Sequence, residues 1–123
     1  MSDPVEPVGD DGTEDDATGN DATGSTRTGD AAVLDDLFAT IESRRAELPE
    51  GSYTASLFTH EKGENAVLEK LGEEATETIL AAKDDDDEAL TAESADLVYH
   101  LLVLLAMKDL DVSDLRAELR DRF

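Results

Sequence analysis

The residues best suited to chemistry are acids set one helical turn apart. Glu74 and Glu77 stand at i and i+3 with Glu73 just before them; Glu93 and Asp96 repeat that spacing, and His100 extends the second line. Positions three and four apart share one face of an α-helix, so each set presents a pair of carboxylates on one flank. Two such helices packed antiparallel through a short turn would bring Glu74, Glu77, Glu93 and Asp96 to a common point. Crowded acids raise one another's pKa values, and a hard divalent cation removes the conflict. Oxygen ligands suit Mg²⁺, with Mn²⁺ as a substitute, and Mg²⁺ commonly completes its shell with waters and substrate phosphates. A phosphorylated substrate is therefore expected. The plainer alternative is a solvated helix face. Asp96 and His100 speak against it, because they sit among mostly apolar neighbours, where a charge needs a partner.

Composition narrows the field. In 123 residues, 32 Asp and Glu oppose 10 Lys and Arg, a formal net charge of −22. Nucleic-acid binding through a basic face is excluded, since that affinity comes from cations neutralising phosphates. A polybasic membrane-surface role fails on the same ground. The chain has no cysteine, so disulfides, thiolate metal sites and thiol nucleophiles are ruled out. No stretch of about 18 uncharged apolar residues occurs and the N-terminus lacks a signal-peptide pattern, so a cytoplasmic protein without a membrane anchor is expected. Acid spread along the whole chain is the surface of a protein that stays hydrated in concentrated salt, where screening cancels much of its self-repulsion. A halophilic source is the expectation.

The elements that must position these acids read as helices. Residues 1–30 carry nine acidic side chains, five glycines and one arginine, with Val5 and Val8 as the branched aliphatics; too little apolar surface is present to offset ordering entropy, so a disordered acidic tail is expected. Residues 31–123 form one small domain. Val33, Leu34, Leu37, Phe38, Ile41 and Leu48 follow helical spacing after Asp30 as N-cap, and Pro49 and Gly51 end that helix. Ser52 to Thr59 reads as a short helix or turn. Asn65 is expected to cap a helix whose stripe is Val67, Leu68, Leu71, Ala75, Ile79 and Ala82. The run from Asp84 to Glu88 makes a polar turn that places negative charge at the start of the next helix, where the macrodipole favours it. That helix, Glu88 to Met107, is apolar nearly all round from Leu97 to Ala106, as in a central or intersubunit helix. Ser113 is expected to cap a last helix. The fold class is thus all-α, a bundle of about four to five helices with its core completed by dimerisation.

The blocks Ser52-Tyr53-Thr54-Ala55, Glu69-Lys70-Leu71-Gly72-Glu73-Glu74-Ala75-Thr76-Glu77, and Glu93-Ser94-Ala95-Asp96-Leu97-Val98-Tyr99-His100 resemble phosphoribosyl-ATP pyrophosphohydrolase, an all-α nucleotide pyrophosphatase acting at the second step of histidine biosynthesis. The resemblance spans about residues 31–123. It implies that Glu74, Glu77, Glu93 and Asp96 hold the divalent metal, and that Glu73, the extra acid of a Glu-Glu doublet, binds a second metal or orients water. Glu73 or Glu77 then receives the proton of the attacking water. Lys70 and Lys83 become candidates for phosphate contacts, although an i, i+4 pair with Glu74 and a favourable place in a last helical turn account for them equally. Tyr99 and His100 match the family's Tyr-His pair, as substrate contacts or as braces for the ligands. Lys62 and Asn65 precede the first acidic helix within reach of a ribose or phosphate. The implied reaction converts phosphoribosyl-ATP to phosphoribosyl-AMP and pyrophosphate. The rival readings are a house-cleaning nucleoside triphosphate pyrophosphohydrolase and a non-enzymatic acidic interaction module.

Overall fold

The computed structural model describes residues 30–123; the expected acidic tail lies outside the described residues except for Asp30. Among the described residues five helices follow one another without a strand: α1 Val33–Glu47, α2 Tyr53–Phe58, α3 Glu64–Lys83, α4 Asp87–Met107 and α5 Val112–Arg122.

The helix starts differ from those the capping pattern suggested. The residue before α1 is Ala32, without a side-chain cap, and not Asp30. Gly63 precedes α3 with a φ of 62°, which displaces Asn65 into the first turn; a left-handed turn needs glycine more than a helix start needs asparagine. Asp86 caps α4 by accepting the Ala89 N–H at 3.0 Å. At α5 the cap is Asp111 and not Ser113, because Asp111 and Asp114 form a reciprocal capping box worth about 1 kcal/mol.

Helices α3 and α4 form the backbone of the molecule. They are joined by a tight acidic turn in which Asp85 adopts a φ of 56°, a conformation aspartate tolerates better than most residues. Their pairing is antiparallel: Glu74 meets His100 while Glu64 meets Lys108, so positions advance on one helix as they retreat on the other. Phe38 and Ile41 of α1, Leu57 of α2, Val67 of α3, Tyr99, Leu102, Val103 and Ala106 of α4 and Val112 of α5 make one core; each large aliphatic or aromatic group buried there contributes roughly 1.5–3 kcal/mol. Arg45 fastens α1 to the end of α4, donating to the Ala106 carbonyl at 2.6 Å and to Asp109 at 2.9 Å, and Arg116 pairs with Asp35 to hold α5 against α1.

By length and composition alone α4 is apolar enough to cross a membrane, yet it carries the buried polar groups Asp96 and His100 and supplies much of the core. The stripe on α3 also differs from the expected one. Val67, Glu74 and Ala81 are buried, whereas Leu68 and Ile79 are exposed and Ala82 faces solvent. The register of α3 against α4 turns the helix so that an acid, and not only aliphatics, lies on the inward face.

Candidate functional site

Five side chains from the α3–α4 hairpin, four acids and one imidazole, define the polar centre. Glu74 and Asp96 are 2 % and 4 % exposed, and His100 is fully buried. Glu77 and Glu93 are half-buried, and Glu77 lies within hydrogen-bond reach of Glu93 across the hairpin. The helical spacing Glu74–Glu77 and Glu93–Asp96 therefore does what two antiparallel helices require: each pair faces the other.

His100 fixes one side of this cluster. Its Nδ1 is 2.8 Å from Glu74 Oε1 and 3.1 Å from the Asp96 carbonyl oxygen. A carbonyl only accepts, so Nδ1 carries the proton. In the neutral ring Nε2 is then an acceptor, and the Tyr53 hydroxyl, 3.1 Å away, donates to it. Tyr99 turns the other way and shares a short hydrogen bond with Thr54 of α2. The rings of Tyr99 and His100 meet edge-on with centroids 4.7 Å apart. Helix α2, started by Ser52 accepting the Ala55 N–H, thus braces both residues of the Tyr-His pair. Tyr53 and Thr54 are the partners that sequence reasoning did not assign; the Ser-Tyr-Thr-Ala block was the signal that pointed to them.

The acids oppose one another. Burial pushes the Glu93 carboxyl up to about 7, helped by the Glu77 carboxyl and by the charges of Asp96 and Glu74. Burial likewise raises Asp96 to about 6; Glu74 and Glu77 add to the shift, while His100 and Lys70 oppose it. One oxygen of each of Glu74, Glu93 and Asp96 is buried with no hydrogen-bond partner among the described residues. Buried polar atoms are rarely left so. Among the described residues no three acid or imidazole groups stand together as a ready-made ligand cage, so the quartet is a convergence of acids that leaves three acceptors free. A hard cation takes such acceptors as ligands, and in that respect the donor set fits Mg²⁺.

Other residues fall at different distances from this centre. Glu73 is exposed, with Lys70 3.5 Å from it. Lys70 is half-buried and its charge reaches Asp96. Lys83 is exposed in the last turn of α3. Lys62 lies on the turn before α3 and pairs with Glu69.

An all-helical hairpin that sets ExxE against ExxD, with buried carboxyl oxygens left as free acceptors, is what the resemblance to the all-α nucleotide pyrophosphatases implies. The phosphoribosyl-ATP pyrophosphohydrolase family profile matches residues 34–123. A phosphoribosyl-ATP pyrophosphatase of Haloarcula marismortui is 77 % identical over 90 residues, covering 73 % of this chain and 92 % of that protein. One from Haloquadratum walsbyi is 71 % identical over 90 residues, 73 % of this chain and 90 % of that one. Another, from Pelotomaculum thermopropionicum, is 52 % identical over 90 residues, with the same coverage of both chains. The chain belongs to the phosphoribosyl-ATP pyrophosphohydrolase family. The haloarchaeal sources of the first two relatives accord with its acidic, halophilic surface.

Proposed function

We infer that this protein hydrolyses the α–β phosphoanhydride of phosphoribosyl-ATP, giving phosphoribosyl-AMP and pyrophosphate in histidine biosynthesis. The reading is supported by family membership and by the three unpartnered buried oxygens of Glu74, Glu93 and Asp96. Those oxygens are the observation that carries it, because acids held this close call for a cation and a cation calls for a phosphate.

Glu74, Glu77, Glu93 and Asp96 would hold Mg²⁺, or Mn²⁺ in its place. When bound, the ion neutralises phosphate charge and makes water a better nucleophile. The protein's own contribution is positioning. His100 aims Glu74 by donating from Nδ1, and Tyr53 holds the ring in that tautomer. Glu77 or Glu73 accepts the proton lost by the attacking water, and Lys70 offsets triphosphate charge beside the quartet. Lys83, at the solvent end of α3, is a phosphate contact only for a substrate that reaches along the helix. The chain's −22 charge repels an anionic substrate weakly in high salt, where the Debye length falls to about 3 Å at 1 M.

The active form is a homodimer, and it works in the cytoplasm. Ile79 and Leu80 on α3 and Val98 and Leu101 on α4 are exposed in the single chain, and a second copy accounts for aliphatics on the two helices that carry the acids. Incubation with phosphoribosyl-ATP and with ordinary nucleoside triphosphates tests the activity. Release of pyrophosphate from the former alone supports the assignment; equal release from plain triphosphates transfers it to the house-cleaning class.

A further inference from the structure

Beside the quartet, a cavity of about 250 Å³ is lined by Tyr53, His60, Lys62, Lys70 and the two acids Glu69 and Glu73, among others. In a chain so poor in positive charge, two of its four lysines and one of its two histidines border this one hollow.

The turn before α3 builds one wall. Gly63, at a φ of 62°, donates its N–H to the His60 carbonyl at 2.9 Å. The Lys62 N–H donates to His60 Nδ1 at 3.0 Å. A backbone N–H needs an acceptor, so Nδ1 is unprotonated and the ring's proton sits on Nε2. His60 therefore offers a fixed N–H donor. The Lys62 ammonium lies 3.0 and 3.3 Å from the two oxygens of Glu69, and that of Lys70 lies 3.5 Å from Glu73. The Lys62–Glu69 pair is more than half exposed on both sides; such pairs hold weakly and yield to a more highly charged anion. Tyr53 connects the hollow to the catalytic centre, since its hydroxyl also contacts His100.

We propose that His60 and Lys62, together with Lys70, form a second phosphate subsite, adjoining the carboxylate quartet, that receives a terminal phosphate of the substrate. The proposal rests on the activity inferred above. At a rise of 1.5 Å per residue, Glu69, on which Lys62 rests, lies about 7.5 Å along α3 from Glu74. Two phosphates of the substrate lie away from the bond that is cleaved and are open to such a subsite: the end of its triphosphate arm and the monoester of its phosphoribosyl arm.

The test compares the full-length wild type with Lys62→Met, His60→Ala and a charge control, Lys108→Met, whose ammonium pairs with Glu64 away from this cavity. All are held at one high salt concentration and checked by circular dichroism. Steady-state turnover of phosphoribosyl-ATP is measured, and pyrophosphate and ribose 5-phosphate are titrated separately by calorimetry. For Lys62→Met we expect KM to rise roughly tenfold with kcat changed less than about threefold, the signature of lost binding away from the reacting bond. Weakened binding of pyrophosphate assigns the subsite to the triphosphate arm, and weakened binding of ribose 5-phosphate assigns it to the phosphoribosyl arm. The subsite is overturned if Lys62→Met and His60→Ala both keep KM and both probe affinities within about twofold of wild type, or if Lys108→Met matches their losses. A wild type inactive on phosphoribosyl-ATP overturns the activity instead, and the two calorimetric titrations still decide the subsite.

Discussion

Nδ1 of His100 lies 2.8 Å from Oε1 of Glu74, and neither side chain is more than 2 % exposed. A buried pair of this kind owes its importance to what is left when one member is lost. His100→Ala strands the Glu74 carboxylate in the core and should lower unfolding free energy by about 3 kcal/mol. The double variant Glu74→Leu/His100→Leu should recover much of that loss while remaining inactive. Urea unfolding at fixed salt measures both; an unchanged midpoint for His100→Ala would contradict the buried pairing.

The quartet should be indispensable to turnover and dispensable to helicity. Glu77→Ala and Asp96→Ala are expected to lower kcat by about two orders of magnitude or more with far-UV circular dichroism unchanged. Calorimetric titration should show stoichiometric Mg²⁺ binding in the wild type and none in these variants. Glu73→Ala separates the two roles open to that acid: if Glu73 takes the water's proton, the variant loses kcat yet still binds Mg²⁺. Full activity of Glu77→Ala or Asp96→Ala would remove the metal-site reading.

Stability should fall as pH rises when divalent ions are chelated. Glu93 is raised from 4.5 to about 7 and Asp96 from 3.8 to about 6. In that interval the unfolded chain has released protons that the folded chain keeps, so the folded state is progressively disfavoured. The contribution is fully present below about pH 4 and is lost through pH 6 to 7. At constant high salt the melting temperature should drop by roughly 5 °C or more between pH 5 and pH 8. Added Mg²⁺ should flatten the slope. A melting temperature that rises across this range in chelator would refute the crowding of these acids.

The exposed aliphatics of α3 and α4 make the oligomer testable. Ile79 is 61 % exposed and Val98 38 %. Val98→Asp combined with Ile79→Asp should shift sedimentation from dimer toward monomer, since placing charges in a buried apolar contact costs several kcal/mol. A wild type that sediments as a monomer at micromolar concentration would exclude the dimer.

Much of the hairpin was legible beforehand. The acidic turn from Asp84, the helical spacing of the acids and the all-round apolarity of the segment around Leu101 follow from local composition, and the structure places α3 and α4 accordingly. The caps were less legible, because Asp111 and Ser113 have similar intrinsic merit and only the reciprocal bond from Asp114 selects between them. His60 gave no signal at all: its tautomer depends on a backbone N–H two residues away, set by the left-handed Gly63.

What the sequence determined by itself is an all-helical, highly acidic chain with two pairs of carboxylates, each on one helical face, because those properties depend on residue types and on spacing along a single helix. Which member of the Glu73–Glu74 doublet turns inward was decided by tertiary structure. Adjacent residues lie about 100° apart around a helix of 3.6 residues per turn, and only the docking of α4, with His100 waiting opposite, buries Glu74 and leaves Glu73 in solvent beside Lys70.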